Sequence, residues 1–384
     1  MPLAVGVPSE TAAGEARVAL APDAVKRLLR GEVEVVVERG AGERAFFLDA
    51  DYEAVGARLG ARTDALSAPL VATVQGLPEA DLSRLQPGAV VVGLLRPLDD
   101  PEAAARYAEA GATAIAMELV PRTTRAQKMD ALSAMSTVAG YRAVLLAATY
   151  LPKFFPLLTT AAGTVRPARV LVLGAGVAGL QALATARRLG AVTSSYDVRA
   201  AAREQVESVG ATFVELDLEA DDAEDARGYA KALDADDQAR QVEALATHVA
   251  EADVVISTAL IPGRPAPVLI TEAGVRGMRP GSVIVDLAAP NGGNCALTEP
   301  GATVAREGVT ILGPDNLAAE MPRHASEMYA RTVAALIQEF ATEEGTFRLE
   351  LEDEILTGAV VTHGGAVVHE CVRALLPGAE APSP

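Results

Sequence analysis

The sequence contains only two cysteines, Cys295 and Cys371, far apart in a chain of 384 residues. That excludes a disulfide framework and makes a reducing cytoplasm the expected setting. The four histidines, His248, His324, His363 and His369, are scattered without metal-ligand spacing, so no metal site is expected. Clusters of Lys and Arg are missing as well. The formal net charge is −18, which argues against nucleic-acid phosphates or anionic lipid as partners. Residues 1–10 lack a basic segment leading into an apolar one, so no signal peptide is expected. The longest uncharged run, 170–186, is shorter than the about 20 residues of a spanning helix, and glycines interrupt it. A soluble chain is expected, reaching any membrane through a partner.

What is present is a large apolar fraction, 50%, beside 22% charged residues. That is the composition of a globular protein, and the length suggests two or three domains. Strand-like segments at 3–7, 33–38, 70–74, 89–95 and 113–117 alternate with helical ones at 22–29, 52–59 and 102–110. A second series has strands at 169–173, 192–196, 212–216, 254–258, 282–286 and 310–312. Its helices fall at 179–189, 203–209 and 242–250, and an acidic loop at 217–237. Such alternation predicts α/β architecture: two Rossmann-like, doubly wound parallel-sheet domains. Long Ala- and Leu-rich helices at 127–151 and 325–340 would join them, with 347–355 and 359–362 returning to the first domain. The expected division is 1–128 plus 345–384 for the first domain and 129–344 for the second.

The strongest motif is Gly174-Ala175-Gly176-Val177-Ala178-Gly179, between an apolar strand and an amphipathic helix. Gly174 permits the tight turn, Gly176 lets backbone approach a pyrophosphate, and Gly179 lets helix and strand pack closely. The helix N-terminus offers free N–H groups to phosphate. Asp197 follows at the end of the next strand, near the spacing of about 20 expected for an acid on the adenosine ribose. A carboxylate there accepts from the 2′- and 3′-hydroxyls and repels a 2′-phosphate, which favours NAD over NADP. Val198 and Arg199 continue the segment, and Arg199 is a group that can accommodate such a phosphate.

Several segments then resemble one family. They are Pro121-Arg-Thr-Thr-Arg-Ala-Gln127-Lys-Met-Asp130-Ala-Leu-Ser133, Ala139-Gly-Tyr-Arg-Ala143, Glu15-Ala-Arg17-Val-Ala-Leu, and Thr258-Ala-Leu-Ile-Pro-Gly-Arg-Pro-Ala-Pro267. Nearly the whole chain resembles the alanine dehydrogenase/transhydrogenase α-subunit superfamily. Its alanine dehydrogenases have a lysine near Gln75, a histidine where Gly93-Leu-Leu-Arg96 stands, and an aspartate near Pro290-Asn-Gly-Gly293. This chain lacks all three, so the transhydrogenase branch is the better match. There hydride passes directly between two nicotinamides, and no substrate acid or base is needed.

The resemblance implies NAD(H) on this chain and NADP(H) on a partner β subunit. It further implies a membrane proton-channel subunit, a homodimer, and a peripheral place on the cytoplasmic face of the inner membrane. It implies Arg122, Gln127, Asp130 and Ser133 at the nicotinamide end, in an inter-domain cleft. It also implies a mobile loop with Gly228 and Tyr229 that closes over the nucleotide, and contacts from Gln241 and from Thr258, Ala259 and Leu260. The competing readings are an NAD-dependent alanine or amino-acid dehydrogenase and a non-catalytic NAD-binding scaffold.

Overall fold

The structure, a computed structural model, describes residues 3–216, 235–261 and 263–376. Short runs rich in Val, Leu and Ala build its first sheet. Strands β1 (Ala4–Val7), β2 (Glu34–Glu38), β3 (Arg58–Gly60), β4 (Leu70–Gln75), β5 (Val90–Leu94) and β6 (Thr113–Ala116) run parallel. Their order is β3-β2-β1-β4-β5-β6, so the winding reverses between β1 and β4. Consecutive residues of β5 and β6 are buried, hence both faces are covered, and the apolar runs show no polar alternation. Helices between the strands start on local signals. In Pro101–Glu109, for example, Asp100 accepts from the Ala103 N–H and Pro101 supplies the first-turn φ.

A small exposed hairpin, β7 (Leu158–Thr160) with β8 (Gly163–Val165), precedes the second sheet. That sheet contains β9 (Arg169–Leu173), β10 (Val192–Tyr196), β11 (Thr212–Phe213), β12 (Val254–Ser257), β13 (Val283–Asp286), β14 (Thr303–Arg306) and β15 (Val309–Leu312). The order is β11-β10-β9-β12-β13-β15-β14, parallel throughout except for β14 at the edge. The two-residue period of a strand divides its side chains between two cores. Val170 and Val172 of β9 join Val254 and Ile256 in one, with Ala182, Leu183 and Ala186 of helix Val177–Arg188. Leu171 and Leu173 join Val255 and Ile284 in the other, with Leu245 and Val249 of helix Ala235–Glu251.

The chain then returns to the first sheet. β16 (Val360–His363) adds antiparallel to β6, and β17 (Ala366–Val367) pairs with β16. Two compact α/β units result: Met1–Met135 with Ala318–Pro384, and Ser136–Leu317. Helix Pro322–Phe340 lies in the first, where its Tyr329 hydroxyl donates to the Thr73 carbonyl at 2.7 Å.

Some elements differ from expectation. The long helix foreseen at 127–151 is a single turn, Gln127–Met129, followed by helix Ala131–Tyr150, because Asp130 leaves helical geometry to cap that second helix. The helix foreseen at 52–59 ends at Gly56, whose φ is +99°, and Arg58–Gly60 becomes a strand. Segment 347–355 contributes an isolated bridge, Ala341 to Phe347, and the first residues of helix Glu354–Ala359. Helix Ala131–Tyr150 is long and apolar enough to cross a membrane by length and composition, and it is partly buried in the protein. Arg142 divides it into two uncharged runs, each shorter than 170–186.

Candidate nucleotide-binding site

The glycine-rich turn joins β9 to helix Val177–Arg188 at the switch point of the second sheet, between β9 and β12. Gly174 has φ +98°, and a Cβ there would lie 2.7 Å from the Thr258 hydroxyl. That hydroxyl donates to the Gly174 carbonyl at 2.9 Å, tying the end of β12 to the turn. A Cβ on Gly179 would stand 1.9 Å from the Gly174 carbonyl oxygen, so only glycine allows this helix-to-strand distance. Gly176 faces the opposite situation: a Cβ would meet nothing within 4 Å. It is the N-cap of the helix and provides no side chain to satisfy the first N–H groups. The turn therefore presents free donors and the positive end of a helix dipole to open space, which suits a phosphate. Val177 and Ala178 begin the helix, and Gly140 of helix Ala131–Tyr150 packs so closely that its Cβ would lie 2.1 Å from the Ala178 carbonyl.

Asp197 is buried at the end of β10. Its Oδ2 accepts from the Ala175 N–H at 2.7 Å and from Arg199 Nη2 at 2.9 Å. Its Oδ1 accepts from the Arg199 N–H and Nε, each at 2.9 Å. The acid is thus joined both to the turn and to a neighbouring cation. Val198 is half-buried against the second core. Gln241 is buried in helix Ala235–Glu251 and donates to the Tyr196 hydroxyl at 3.0 Å. Burial pushes the Tyr196 phenol above its ordinary value. Gly228, Tyr229 and most of the acidic loop lie outside the described residues.

Thr258, Ala259 and Leu260 follow β12 on the sheet edge where open α/β folds bind ligands. Two residues without a local sequence signal hold them. The Asn294 side chain accepts from the Ala259 N–H at 3.1 Å and donates to the carbonyls of Ala259 and Pro267 at 2.9 and 2.8 Å. Asp286, fully buried, accepts from Ser257 and Thr298 hydroxyls at 2.9 and 2.7 Å and from the Ala288 and Cys295 N–H groups. It folds the loop that delivers Asn294.

The other candidates belong to the first unit. Arg122 and Gln127 are exposed. Arg125 pairs with Glu339 at 3.1 Å and Asp353 at 2.8 Å, and Lys128 with Glu339 at 2.7 Å. These pairs anchor the loop on either side of Gln127, which opens on a shallow recess of about 530 Å³. Asp130 caps the following helix: its carboxylate accepts from the Ser133 N–H at 2.7 Å and the Ser133 hydroxyl at 2.6 Å.

At the C-terminal ends of β1 and β4 lies a buried acidic group that sequence reasoning missed. Glu10 accepts from the Val74 and Gln75 N–H groups at 2.6 and 3.1 Å, and burial pushes it up to about 7. Glu15 grips the Arg17 guanidinium through both oxygens, at 2.7 and 2.6 Å, and also accepts from the Gln75 amide at 2.9 Å. Burial opposes its ionisation, but the Arg17 bonds and charge outweigh that and hold it below its ordinary value. A second recess of about 530 Å³ in this unit is lined by Gln75, Leu95, Arg96, Asp99, Arg106 and Tyr107, with no Lys or His in its wall among the described residues.

A phosphate-ready turn at a switch point, with an acid beside it, defines a dinucleotide-binding α/β protein. Known proteins make the assignment narrower. Residues 6–139 match the description "Alanine dehydrogenase/PNT, N-terminal domain", and residues 143–370 the corresponding "C-terminal domain". The chain belongs to the alanine dehydrogenase/PNT family. It is 45% identical over 374 residues to the first portion of the NAD(P) transhydrogenase subunit alpha of Rhodospirillum rubrum, covering 95% of this chain and 97% of that one. A solved transhydrogenase structure from Sinorhizobium meliloti superposes with a TM-score of 0.83 at 41% identity, covering 96% of this chain and 99% of the other. "Alanine dehydrogenase" of Halomonas elongata is more distant, 30% identical over 377 residues, 96% of this chain and 95% of its own.

Proposed function

We propose that this chain is the NAD(H)-binding subunit of a proton-translocating transhydrogenase, transferring hydride directly between NADH and NADP+ held on a partner subunit. The observation that carries this is near full-length similarity, at 45% identity, to a transhydrogenase alpha-subunit chain. The residues fit the dinucleotide: the helix beginning at Val177 has an uncapped N-terminus, Gly176 borders open space, and Asp197 joins the turn. When bound, NAD(H) supplies the nicotinamide ring that carries the hydride.

The chain's own residues then bind and orient. Gly174 to Gly179 hold the pyrophosphate, and Asp197 addresses the adenosine ribose, with Val198 and Arg199 flanking it. Thr258, Ala259 and Leu260, braced by Asn294, form the strand-end wall. Gln241 supports the site through Tyr196. Gln127 and Arg122 address the nicotinamide end, while Asp130 and Ser133 fix the start of the helix behind them. Positioning two rings and excluding water requires no proton donor.

The partners in this reading are an NADP(H)-binding β subunit and a membrane proton channel, with the chain peripheral on the cytoplasmic face. A homodimer is supported by exposed apolar side chains in the second unit: Phe154 and Leu157, 57% and 59% exposed, together with Val165 and Val192. Against an alanine dehydrogenase stands the segment Val74-Gln75-Gly-Leu-Pro78, which holds no lysine and whose Gln75 amide donates to Glu15.

The test mixes purified chain, NADH and acetylpyridine adenine dinucleotide, with and without a recombinant NADP(H)-binding partner. Transfer that requires the partner and NADP(H), with no turnover of pyruvate and ammonia, supports the proposal. Turnover of pyruvate and ammonia by the chain alone refutes it.

A further inference from the structure

We infer that Arg199 is an internal, displaceable occupant of the Asp197 carboxylate, and that it sets both affinity and selectivity at the adenosine ribose. This rests on the proposed role of Asp197 at that ribose.

A carboxylate offers about four acceptor positions. In Asp197 all four are used. Two of the bonds come from backbone, the Ala175 and Arg199 N–H groups, and do not depend on where the Arg199 side chain lies. The other two come from a single side-chain guanidinium, Nε on Oδ1 and Nη2 on Oδ2, both at 2.9 Å. A ribose diol needs those same two positions, because it also offers two donors to the two oxygens. The Asp197 side chain is 6% exposed and that of Arg199 20%, so the cation sits on the outer side of the acid. Binding is therefore an exchange in which the guanidinium leaves and the diol enters.

Apparent affinity is then reduced by the fraction of molecules in which the pair is closed. Selectivity narrows too. The negative charge that repels a 2′-phosphate is neutralised by a cation, and the displaced arginine remains tethered beside the position a 2′-phosphate would take. Arg203 is the natural control. It lies four residues on, pairs with Glu215 and stacks on Phe213 at 5.4 Å, and supplies none of the four bonds to Asp197.

The experiment titrates NADH and NADPH into the full chain, followed by nicotinamide fluorescence, for wild type, Arg199→Met, Arg199→Lys, Arg203→Met and Asp197→Asn. Arg199→Met should tighten NADH by about tenfold and leave NADPH unchanged or weaker. Arg199→Lys, which cannot span both oxygens, should fall between, and Arg203→Met should leave the NADH/NADPH ratio as in wild type. Ligand-free melting checks folding; if Arg199→Met does not fold, Arg199→Lys carries the test with a smaller factor. If Asp197→Asn weakens NADH while Arg199→Met fails to tighten it, or fails to widen the ratio, the inference is overturned. If Asp197→Asn leaves NADH binding unchanged, the ribose reading itself fails.

Discussion

Glu118 gives a quantitative test of how the first unit is built. It lies in the turn Met117–Leu119 after β6, where its Oε1 accepts from the Arg96 N–H. Arg96 has φ +52°, so the carboxyl braces a left-handed residue. Oε2 is out of reach of water and has no hydrogen-bond partner among the described residues. Burial pushes the group from 4.5 up to about 7; backbone hydrogen bonds oppose this, and the Asp99 charge adds to it. Between those values the unfolded chain has released the proton that the folded chain still holds. The contribution of Glu118 to stability is then complete below about pH 4.5 and is lost as pH rises through about 7, by roughly 3 kcal/mol at about 1.4 kcal/mol per pH unit. Glu118→Gln removes this loss. Its amide nitrogen takes the unpartnered position, so about 1–3 kcal/mol is forfeited at every pH. The variant should be less stable than wild type near pH 5 and close to it or above it at pH 8. The assay is urea unfolding of the ligand-free chain at pH 5 to 8. With no tryptophan in the sequence, far-ultraviolet circular dichroism is the readout. Parallel pH profiles for the two proteins would refute the argument.

Gly179→Ala would place a Cβ 1.9 Å from the Gly174 carbonyl, so helix and strand must separate. Ligand-free stability should fall by about 1–3 kcal/mol and NADH titration should show weaker binding; unchanged affinity would remove this turn from the site. Asn294→Asp turns two donors toward the carbonyls of Ala259 and Pro267 into an acceptor. Melting should report a loss of roughly 1–3 kcal/mol for each orphaned carbonyl, with weaker NADH binding as the functional readout. Phe154→Asp with Leu157→Asp should shift sedimentation toward monomer without changing NADH affinity; an unaltered oligomer would exclude this patch from the interface.

The α/β pattern was legible because buried parallel strands are short, branched and regularly spaced by helices, as in 70–74, 89–95 and 254–258. The turn at Gly174 was legible because three glycines, a strand and an acid must recur at fixed spacing to meet a pyrophosphate and a ribose. Elements without an apolar signature were not legible. β7 and β8 are almost wholly exposed, and β14 is a polar edge strand. The break at Asp130 was hidden because its neighbours Met129, Ala131 and Leu132 continue an apolar texture. Asp286 and Asn294 act over long sequence separations, Asn294 on a residue 35 positions earlier. Glu10 and Glu118 read as ordinary loop acids, since nothing local marks a carboxyl for burial. That Asp197 is already bound by Arg199 was equally out of reach, because spacing says where an acid lies and not which donors it holds.

The most direct test of the account is the fate of the hydride itself. NADH carrying deuterium at the transferable C4 position is mixed with this chain and an NADP+-loaded partner subunit, and the product is examined by mass spectrometry after a single turnover. Direct transfer predicts NADPH that retains the deuterium in full. Label lost to water, or no labelled NADPH while NADH is consumed, would contradict the account.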